Sequence, residues 1–221
     1  MPVHTSTAAL ILAAGSSSRM GAGRHKLLLP LGDRPVLAHV IAATLASQAR
    51  PIMLVLGHQA QQVRMQIAAY TDHPAILSVE NPAYLQGMST SLRAGLQALI
   101  NNENKSEAPS HSLDGVLIVL GDQPLMTSHI IDALITSKQT TGKRIIIPFY
   151  NGTRGNPVLF DASLFPDLLE ITGDGGARSV IERHQQEVVK IELGASMASY
   201  DVDTWEAYQE VVAEWERKQG L

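Results

Sequence analysis

The chain has 221 residues, of which 45% are hydrophobic, and this is enough to bury the core of one domain. A formal net charge of −4 argues against broad electrostatic binding to nucleic acid or to an anionic membrane. The absence of cysteine excludes disulfides, thiolate zinc sites and cysteine nucleophiles. Any phosphate-binding site must therefore be a small group of positively charged residues within a chain of net negative charge.

The N-terminal sequence carries no recognisable targeting signal. It lacks a basic n-region, and the apolar run at residues 8–14 is too short for a signal peptide or a membrane span. We therefore expect a cytoplasmic protein that binds neither membranes nor nucleic acid.

Short apolar runs alternate with stretches of helical spacing along the chain. This pattern is typical of a mostly parallel sheet with helices on both faces, so we predict an α/β, three-layer α/β/α Rossmann-like fold. One domain, 1–221, is expected, with a nucleotide-binding half at about 1–125 and an acceptor-binding half at about 145–205. The predicted elements are strand 8–12, helix 36–47, strand 51–56, helix 59–70, strand 75–79, helix 89–100, strand 115–120, helix 128–137 and strand 144–148.

The connections between these elements point to the position of a site. Segment 101–113 is polar and turn-rich, which predicts an exposed loop. The loops after Leu12, Leu56 and Leu120 begin at the carboxyl ends of predicted parallel strands, where ligands of open sheets bind. We expect these three loops to face one another.

The first of these loops reads Leu-Ala-Ala-Gly-Ser-Ser-Ser-Arg-Met-Gly over residues 12–21, and Lys26 follows. Small residues let a nucleotide approach the backbone closely, and consecutive amides can cradle phosphate oxygens. Arg19 and Lys26 supply the positive charge that a polyphosphate needs. A Gly/Ser turn with two solvated cations is the alternative. Neither the Walker pattern nor the dinucleotide glycine pattern is present.

This loop closely resembles that of the MobA-like nucleotidyltransferases, in particular the molybdenum cofactor cytidylyltransferase branch. The family signature, Leu-Ala-Ala-Gly-x-Ser-x-Arg-Met-Gly with a downstream Lys, matches residues 12–21 and Lys26. Ala14 favours the cytidylyl branch, because guanylyl relatives tend to carry Gly there. The spacing from Gly21 to Lys26 is longer than the family pattern, so Arg24 could share the task of Lys26. The resemblance implies the nucleotide-diphospho-sugar transferase type of fold.

The resemblance also implies a set of nucleotide-binding residues. The first loop holds base and triphosphate, with Arg19 and Lys26 on the phosphates as catalytic residues beside Asp122. Residues 81–91 resemble a second family segment, in which Gly87 lets the base lie against the backbone and Ser91 bonds base or ribose; helix N-capping is the alternative for Ser91. The predicted nucleotide-binding residues are Leu12, Ala13, Ala14, Gly15, Arg19, Lys26, Gly57, Gly87, Ser91 and Asp122.

A buried strand ending in Gly-Asp-Gln-Pro places the carboxylate of Asp122 where a hard cation can bind. Gly-Asp-x-Pro is the family's metal motif, so the resemblance implies Mg²⁺, or Mn²⁺ in its place, on Asp122; a turn cap is the alternative. A second ligand is expected from Asp201 or Asp203, because residues 201–204 resemble the family's late Asp-Ile-Asp-Thr-Pro segment. We predict Asp203, and helix N-capping is the alternative for either aspartate.

Two glycine-rich segments resemble the acceptor side of the family, and structural turns are the alternative reading of both. Arg178, at the start of a predicted helix, is expected to hold the acceptor's terminal phosphate. The predicted acceptor-binding residues are Gly155, Asn156, Pro157, Gly175 and Arg178.

Taken residue by residue, the resemblance implies transfer of CMP from CTP to the terminal phosphate of a phosphorylated pterin, the molybdopterin-type cofactor, with release of pyrophosphate. A molybdenum hydroxylase or its chaperone is the implied protein partner. Two alternatives keep the same site: nucleotidyl transfer to a sugar phosphate or polyol phosphate, and a module that delivers nucleotide or cofactor without turnover.

Overall fold

The structure is a computed structural model that describes residues 4–21, 23–105, 111–194 and 200–220. The described strands are β1 (His4–Ala13), β2 (Pro30–Leu31), β3 (Arg34–Pro35), β4 (Ile52–Leu56), β5 (Ile76–Glu80), β6 (His111–Leu120), β7 (Ile145–Tyr150), β8 (Thr153–Arg154), β9 (Val158–Asp161) and β10 (Val188–Glu192). The described helices are α1 (Val36–Leu45), α2 (Ala60–Gln66), α3 (Ala68–Thr71), α4 (Met88–Lys105), α5 (Ser128–Thr141), α6 (Phe165–Leu169), α7 (Arg178–Arg183) and α8 (Trp205–Gln219).

Eight strands form one central sheet in the order β10-β7-β9-β6-β1-β4-β5, with β8 paired to β7 beside this path. The pairs β6-β1, β1-β4, β4-β5 and β10-β7 are parallel, whereas β9 runs antiparallel to both of its neighbours. The prediction of an α/β fold with a mostly parallel central sheet is therefore confirmed. Strands from both predicted halves of the chain hydrogen-bond within this one sheet.

Helices cover both faces of the sheet, and the alternation of side chains along β1 shows how. Ala9, Ile11 and Ala13 point into a core shared with α1, α2 and α5. Ala8 and Leu10 point into the opposite core, which is shared with α4, α6 and α7. Because successive side chains of a strand face opposite ways, an unbroken apolar run is what a strand buried on both faces requires. Among the described helices, none combines the length and apolar character needed to cross a bilayer.

A third, smaller core fixes the C-terminal helix at the carboxyl end of the sheet. Tyr208 and Val211 of α8 pack in it with Met20, Leu31 and Val202, and the hydroxyl of Tyr208 donates to the carbonyl of Pro30. The amide of Val202 donates to the carbonyl of Asp122, with 3.0 Å between N and O. The segment before α8 is therefore bonded to the loop after β6, which brings distant acidic residues together.

Two predictions are wrong about which element is present, at residues 101–113 and at residues 59–70. The predicted loop 101–113 overlaps the end of α4, which continues to Lys105, and the start of β6 at His111; residues 106–110 lie outside the described residues. Its polar residues include the solvent-exposed end of a helix, and exposed helical positions are polar in the same way as loops. The predicted helix 59–70 is divided at Ile67, a fully buried residue whose backbone departs from helical geometry.

Gly95 marks the closest approach of α4 to the sheet, because a Cβ atom there would collide with the side chains of Leu10 and Val55. We expect Gly95→Val to lower the free energy of unfolding by about 2 kcal/mol, since both neighbours lie in a close-packed core. The melting temperature should fall by about 4–8 °C. Gln97→Val, on the exposed side of the same helix, is the control and should change it little. An unchanged melting temperature in Gly95→Val would contradict this packing.

Candidate active site

The three loops that follow β1, β4 and β6 meet at one edge of the sheet, as predicted. The amide of His58 donates to the carbonyl of Ala14 (3.1 Å), and the amide of Gly121 donates to the carbonyl of Leu12 (3.0 Å). A Cβ atom on Gly121 would lie 2.9 Å from that same carbonyl oxygen, so only glycine permits this approach. The loop after β1 is therefore held from both sides by its neighbours.

A cavity of about 470 Å³ opens above this edge. Gly57 is the one predicted nucleotide-binding residue that does not line it. The others do: Leu12, Ala13, Ala14, Gly15, Arg19, Lys26, Gly87, Ser91 and Asp122. Gly57 packs behind the first loop instead, where a Cβ atom would lie 2.8 Å from the Cβ of Ala14 and 2.9 Å from that of Tyr84.

One ammonium group joins two carboxylates in this cavity. Nζ of Lys26 contacts Oδ2 of Asp122 and lies 2.7 Å from Oδ1 of Asp203. Nη1 of Arg19 lies 2.9 Å from the other oxygen of Asp203. Burial alone would lower the pKa of Lys26, but the charges and hydrogen bonds of Asp122 and Asp203 outweigh burial and raise the pKa above its ordinary value. Lys26 is therefore a cation at neutral pH.

Local backbone interactions place these side chains. The hydroxyl of Ser17, a residue with left-handed backbone angles (φ 56°), accepts from the amide of Lys26 at 3.1 Å. At the other end of the chain, Thr204 caps α8 by accepting from the amide of Ala207 at 3.2 Å. The N-cap is therefore neither Asp201 nor Asp203, which leaves both carboxylates to line the cavity.

Asp201 and Asp203 have different surroundings. Oδ1 of Asp201 accepts from Nε2 of the buried Gln123 at 2.6 Å. Burial, followed by the charge of Asp122, raises the pKa of Asp201 to about 6. Asp203 instead contacts the ammonium of Lys26, which also contacts Asp122.

Asp122 and Asp203 together fit a hard divalent cation. Their oxygens already converge on one positive atom, Nζ of Lys26, and carboxylate oxygens are the ligands that Mg²⁺ and Mn²⁺ prefer. No cluster of three or more His, Cys, Asp or Glu with metal-binding geometry occurs among the described residues. A cation held here by two carboxylates would complete its coordination with water and substrate phosphates, which is usual for Mg²⁺.

The turn before α4 is built by the side chain of Asn81. Its amide nitrogen donates to the hydroxyls of Thr90 (2.9 Å) and Ser91 (3.0 Å), and its amide oxygen accepts from the amide of Ala83. Thr90 donates its proton to carbonyls of the preceding turn, including that of Gly87 at 2.9 Å. Ser91 is thus held in place with its hydroxyl at the wall of the cavity.

A second cavity, of about 410 Å³, adjoins the first. Four of the predicted acceptor-binding residues line it, namely Gly155, Asn156, Gly175 and Arg178. Pro157, the fifth, does not. Met88, Leu120 and Asp174 belong to the walls of both cavities. The loop after β1 and the glycine-rich turn before α7 therefore open onto connected spaces.

Several residues at these cavities were not assigned roles from the sequence. Asp174 accepts from the amide of Met88 (3.2 Å) and links the turn before α7 to α4; its place in a Gly-Asp-Gly-Gly turn was the available signal. Arg154 lines the second cavity directly before Gly155, and its charge beside a predicted site segment was the signal. The alternative role for Arg24 finds no support, because its guanidinium carbon lies 4.5 Å from the ring centroid of Trp205.

Comparison with known proteins agrees with this geometry. A family described as "MobA-like NTP transferase domain" matches residues 9–188, which is most of the chain. The protein is therefore of the nucleotidyltransferase class. More particularly, the chain belongs to the MobA-like NTP transferase family.

Among curated proteins, the chain is similar to the "Bifunctional protein GlmU" of Kineococcus radiotolerans, with 30% identity over 140 residues. That match covers 63% of this chain but only 26% of the relative, so the chain corresponds to about a quarter of its length.

Two solved structures are similar over nearly their whole length. One is the Mycobacterium sp. strain JC1 homologue of Mycobacterium tuberculosis Rv0371c, with a TM-score of 0.76, 29% identity and coverage of 96% of this chain and 97% of the other. The other is Rv0371c of Mycobacterium tuberculosis H37Rv in complex with manganese, with a TM-score of 0.73, 25% identity and coverage of 94% and 98%.

Lys26→Met would leave Asp122 and Asp203 facing each other without the cation between them. Because these side chains are largely buried, we expect a loss of about 2 kcal/mol in stability without divalent ions, or about 4–8 °C in melting temperature. Mn²⁺ should restore more stability to this variant than it adds to the wild type, measured by thermal melting.

Lys138→Met is the matched control, because Lys138 also bridges two aspartates, Asp114 and Asp161, at the far end of β6. Its variant should lose stability without a comparable recovery in Mn²⁺. Equal recovery in both variants would contradict the assignment of a cation site to Asp122 and Asp203.

His25 lies behind the cavity, stacked on His58 at 5.6 Å between ring centroids, with Nε2 3.3 Å from the carbonyl oxygen of His58. Burial, assisted by the charges of His58 and Lys26, lowers the pKa of His25 below 6.5. On acidification the unfolded chain therefore takes up this proton before the folded chain does, and stability falls.

We expect His25→Gln to reduce the drop in melting temperature between about pH 7 and about pH 5.5. His129→Gln, at an exposed position on α5, is the control and should melt with the wild-type pH dependence. A wild-type pH dependence in His25→Gln would show that the burial of His25 is not what sensitises the fold to acid.

Proposed function

We propose that this chain transfers CMP from CTP to the terminal phosphate of a phosphorylated pterin, a molybdopterin-type cofactor, and releases pyrophosphate. The observation that carries the proposal is the convergence of Asp122, Asp203, Lys26 and Arg19 in one cavity that adjoins a second. The first cavity would take the nucleotide and the second the acceptor, so that the phosphates of both meet beside these four side chains. Here the whole chain acts as one catalytic domain.

The reaction brings two anionic phosphates together, so the main tasks are neutralisation and alignment. Arg19, whose side chain is 70% exposed, is free to turn its guanidinium toward the triphosphate at the mouth of the cavity. Lys26 is held at the base of the cavity and offers its ammonium to the phosphates next to the reacting centre. The backbone of the loop after β1 supplies amides along the triphosphate. No covalent enzyme intermediate is required.

Asp122 and Asp203 are the residues that would hold Mg²⁺ or Mn²⁺. A divalent cation bound there would neutralise phosphate charge and help to align the leaving pyrophosphate. The related Rv0371c protein was solved in complex with manganese, which supports a divalent ion in this chain as well. Two carboxylates with open remaining positions suit a cation that arrives with nucleotide phosphates.

The preference for CTP rests on Ala14 in the first loop, as in the cytidylyl branch that the sequence resembles. The preference for a pterin acceptor rests on the segments at residues 155–159 and 173–178, most of whose residues line the second cavity. A molybdenum hydroxylase or its chaperone would then receive the product. Transfer to a sugar phosphate or polyol phosphate uses the same charges and is the alternative acceptor chemistry.

The acceptor and the nucleotide are tested together. Purified protein is incubated with Mg²⁺, one of CTP, GTP or ATP, and either molybdopterin or a panel of sugar and polyol phosphates. We expect pyrophosphate release with CTP and molybdopterin, and a product with the mass of a cytosine dinucleotide. Turnover with a sugar phosphate alone would overturn the pterin assignment.

Asp122→Ala separates catalysis from nucleotide binding. We expect turnover to fall at least about 100-fold, because the main carboxylate for the cation is lost. CTP binding, measured by calorimetry, should persist because the loop after β1 and Arg19 are intact. Asp33→Ala, at an exposed position outside both cavities, is the control. Full turnover in Asp122→Ala would contradict the metal assignment, and wild-type protein that binds CTP without turnover would favour a delivery module.

A further inference from the structure

The wall of the second cavity carries two exposed arginines. Arg154 stands at the end of β8 and Arg178 at the start of α7, and both belong to the cavity wall. Neither guanidinium forms an ion pair or a hydrogen bond with another side chain in the described part of the protein. In a chain with net negative charge, these two cations concentrate positive charge at one cavity.

The two guanidinium groups are close enough to influence each other. Partial loss of contact with water at the cavity wall, and then the positive charge of Arg178, lower the pKa of the exposed Arg154, and the charge of Glu182 offsets this only in part. Arginine nevertheless remains protonated in proteins, so the repulsion is not relieved by loss of a proton. A ligand that carries two negative charges would relieve it.

Backbone hydrogen bonds hold the hairpin that carries Arg154. Residues 149–150 and 153–154 form an antiparallel hairpin, and the amide of Gly155 donates to the carbonyl of Pro148 at 2.9 Å. The hydroxyl of Tyr150 donates to the carbonyl of Asn156 at 3.0 Å, which fixes the chain on the other side. These bonds fix the backbone position of Arg154 beside the cavity.

We propose that Arg154 and Arg178 together form a two-arginine site for a phosphomonoester group, the phosphate of the acceptor. This inference rests on the proposed function and adds Arg154 to it. A phosphomonoester can accept hydrogen bonds from both guanidiniums, whereas an uncharged alcohol cannot relieve their repulsion. Asp174, the one carboxylate of this wall, is engaged by the amide of Met88 and lies where the two cavities join.

Steady-state kinetics with the phosphorylated acceptor that the wild type turns over test the site. We expect Arg154→Gln and Arg178→Gln each to raise the KM for acceptor by about 10- to 100-fold, the value of one charge-assisted hydrogen-bonded contact. The KM for nucleotide should change less than about twofold, because Arg19 and Lys26 are untouched. Arg154→Lys keeps the charge but loses the planar fork, so its KM should be intermediate.

Arg183→Gln is the matched control, because Arg183 lies on the same helix as Arg178 but pairs with Asp167 outside the cavity. It should leave both KM values unchanged. Melting temperatures of all variants show whether a loss reflects misfolding, and Arg154→Lys provides a second reading if Arg154→Gln does not fold. An unchanged acceptor KM in folded Arg154→Gln would overturn the two-arginine site.

A binding measurement separates this inference from the proposed function. Methyl phosphate is titrated into protein saturated with a non-hydrolysable CTP analogue, and binding is followed by phosphorus NMR. Weaker binding in Arg154→Gln and Arg178→Gln than in Arg183→Gln supports the site even if no pterin is turned over. Equal binding in all three variants overturns the site even if CMP transfer to the pterin is observed.

Discussion

The structure of the candidate site depends on one partly buried cation, the ammonium of Lys26, shared by two carboxylates. Asp122 and Asp203 lie 96 and 177 positions away from Lys26 in the chain. Charges removed from water are costly unless they are paired, so these three side chains can be buried only if all three are brought together. This requirement links the loop after β1, the loop after β6 and the segment before α8 into one unit.

The parallel sheet makes this unit possible. The carboxyl ends of β1, β4 and β6 lie side by side, and the loops that leave them are joined by backbone hydrogen bonds from His58 and Gly121. The third core then returns α8 to the same edge, where Val202 is fully buried between the two aspartates that flank it in sequence. Packing of one apolar residue thus orients Asp201 and Asp203, and the amide of Val202 bonds to the loop that carries Asp122.

The two cavities adjoin each other, and the proposed transfer reaction depends on this. The two cavities share a wall of Met88, Leu120 and Asp174, so in the proposed reaction the two anionic substrates would meet at this junction. Positive charge is available on both sides of it, from Arg19 and Lys26 in one cavity and from Arg154 and Arg178 in the other. Because the whole chain is weakly acidic, these local concentrations of charge distinguish the site from the rest of the surface.

Sequence alone was sufficient for the fold class and for the meeting of the three loops at one edge of the sheet. Apolar runs and helical spacing are local patterns, and so is the Leu-Ala-Ala-Gly loop, so each could be interpreted without knowing what packs against it. The same local view failed at residues 101–105, where an exposed helix end is as polar as a loop, and at Ile67, where the backbone leaves helical geometry within a stretch of helical spacing.

Only the tertiary structure decided which side chains meet. Thr204, and neither aspartate, caps α8. The guanidinium of Arg24 packs on the ring of Trp205, and Gly57 packs behind the first loop instead of lining the cavity. Arg154 joined Arg178 at one wall because the hairpin β7-β8 and the start of α7 face the same space. Such contacts depend on strand order and on the packing of distant elements, and neither is encoded in the spacing of neighbouring residues.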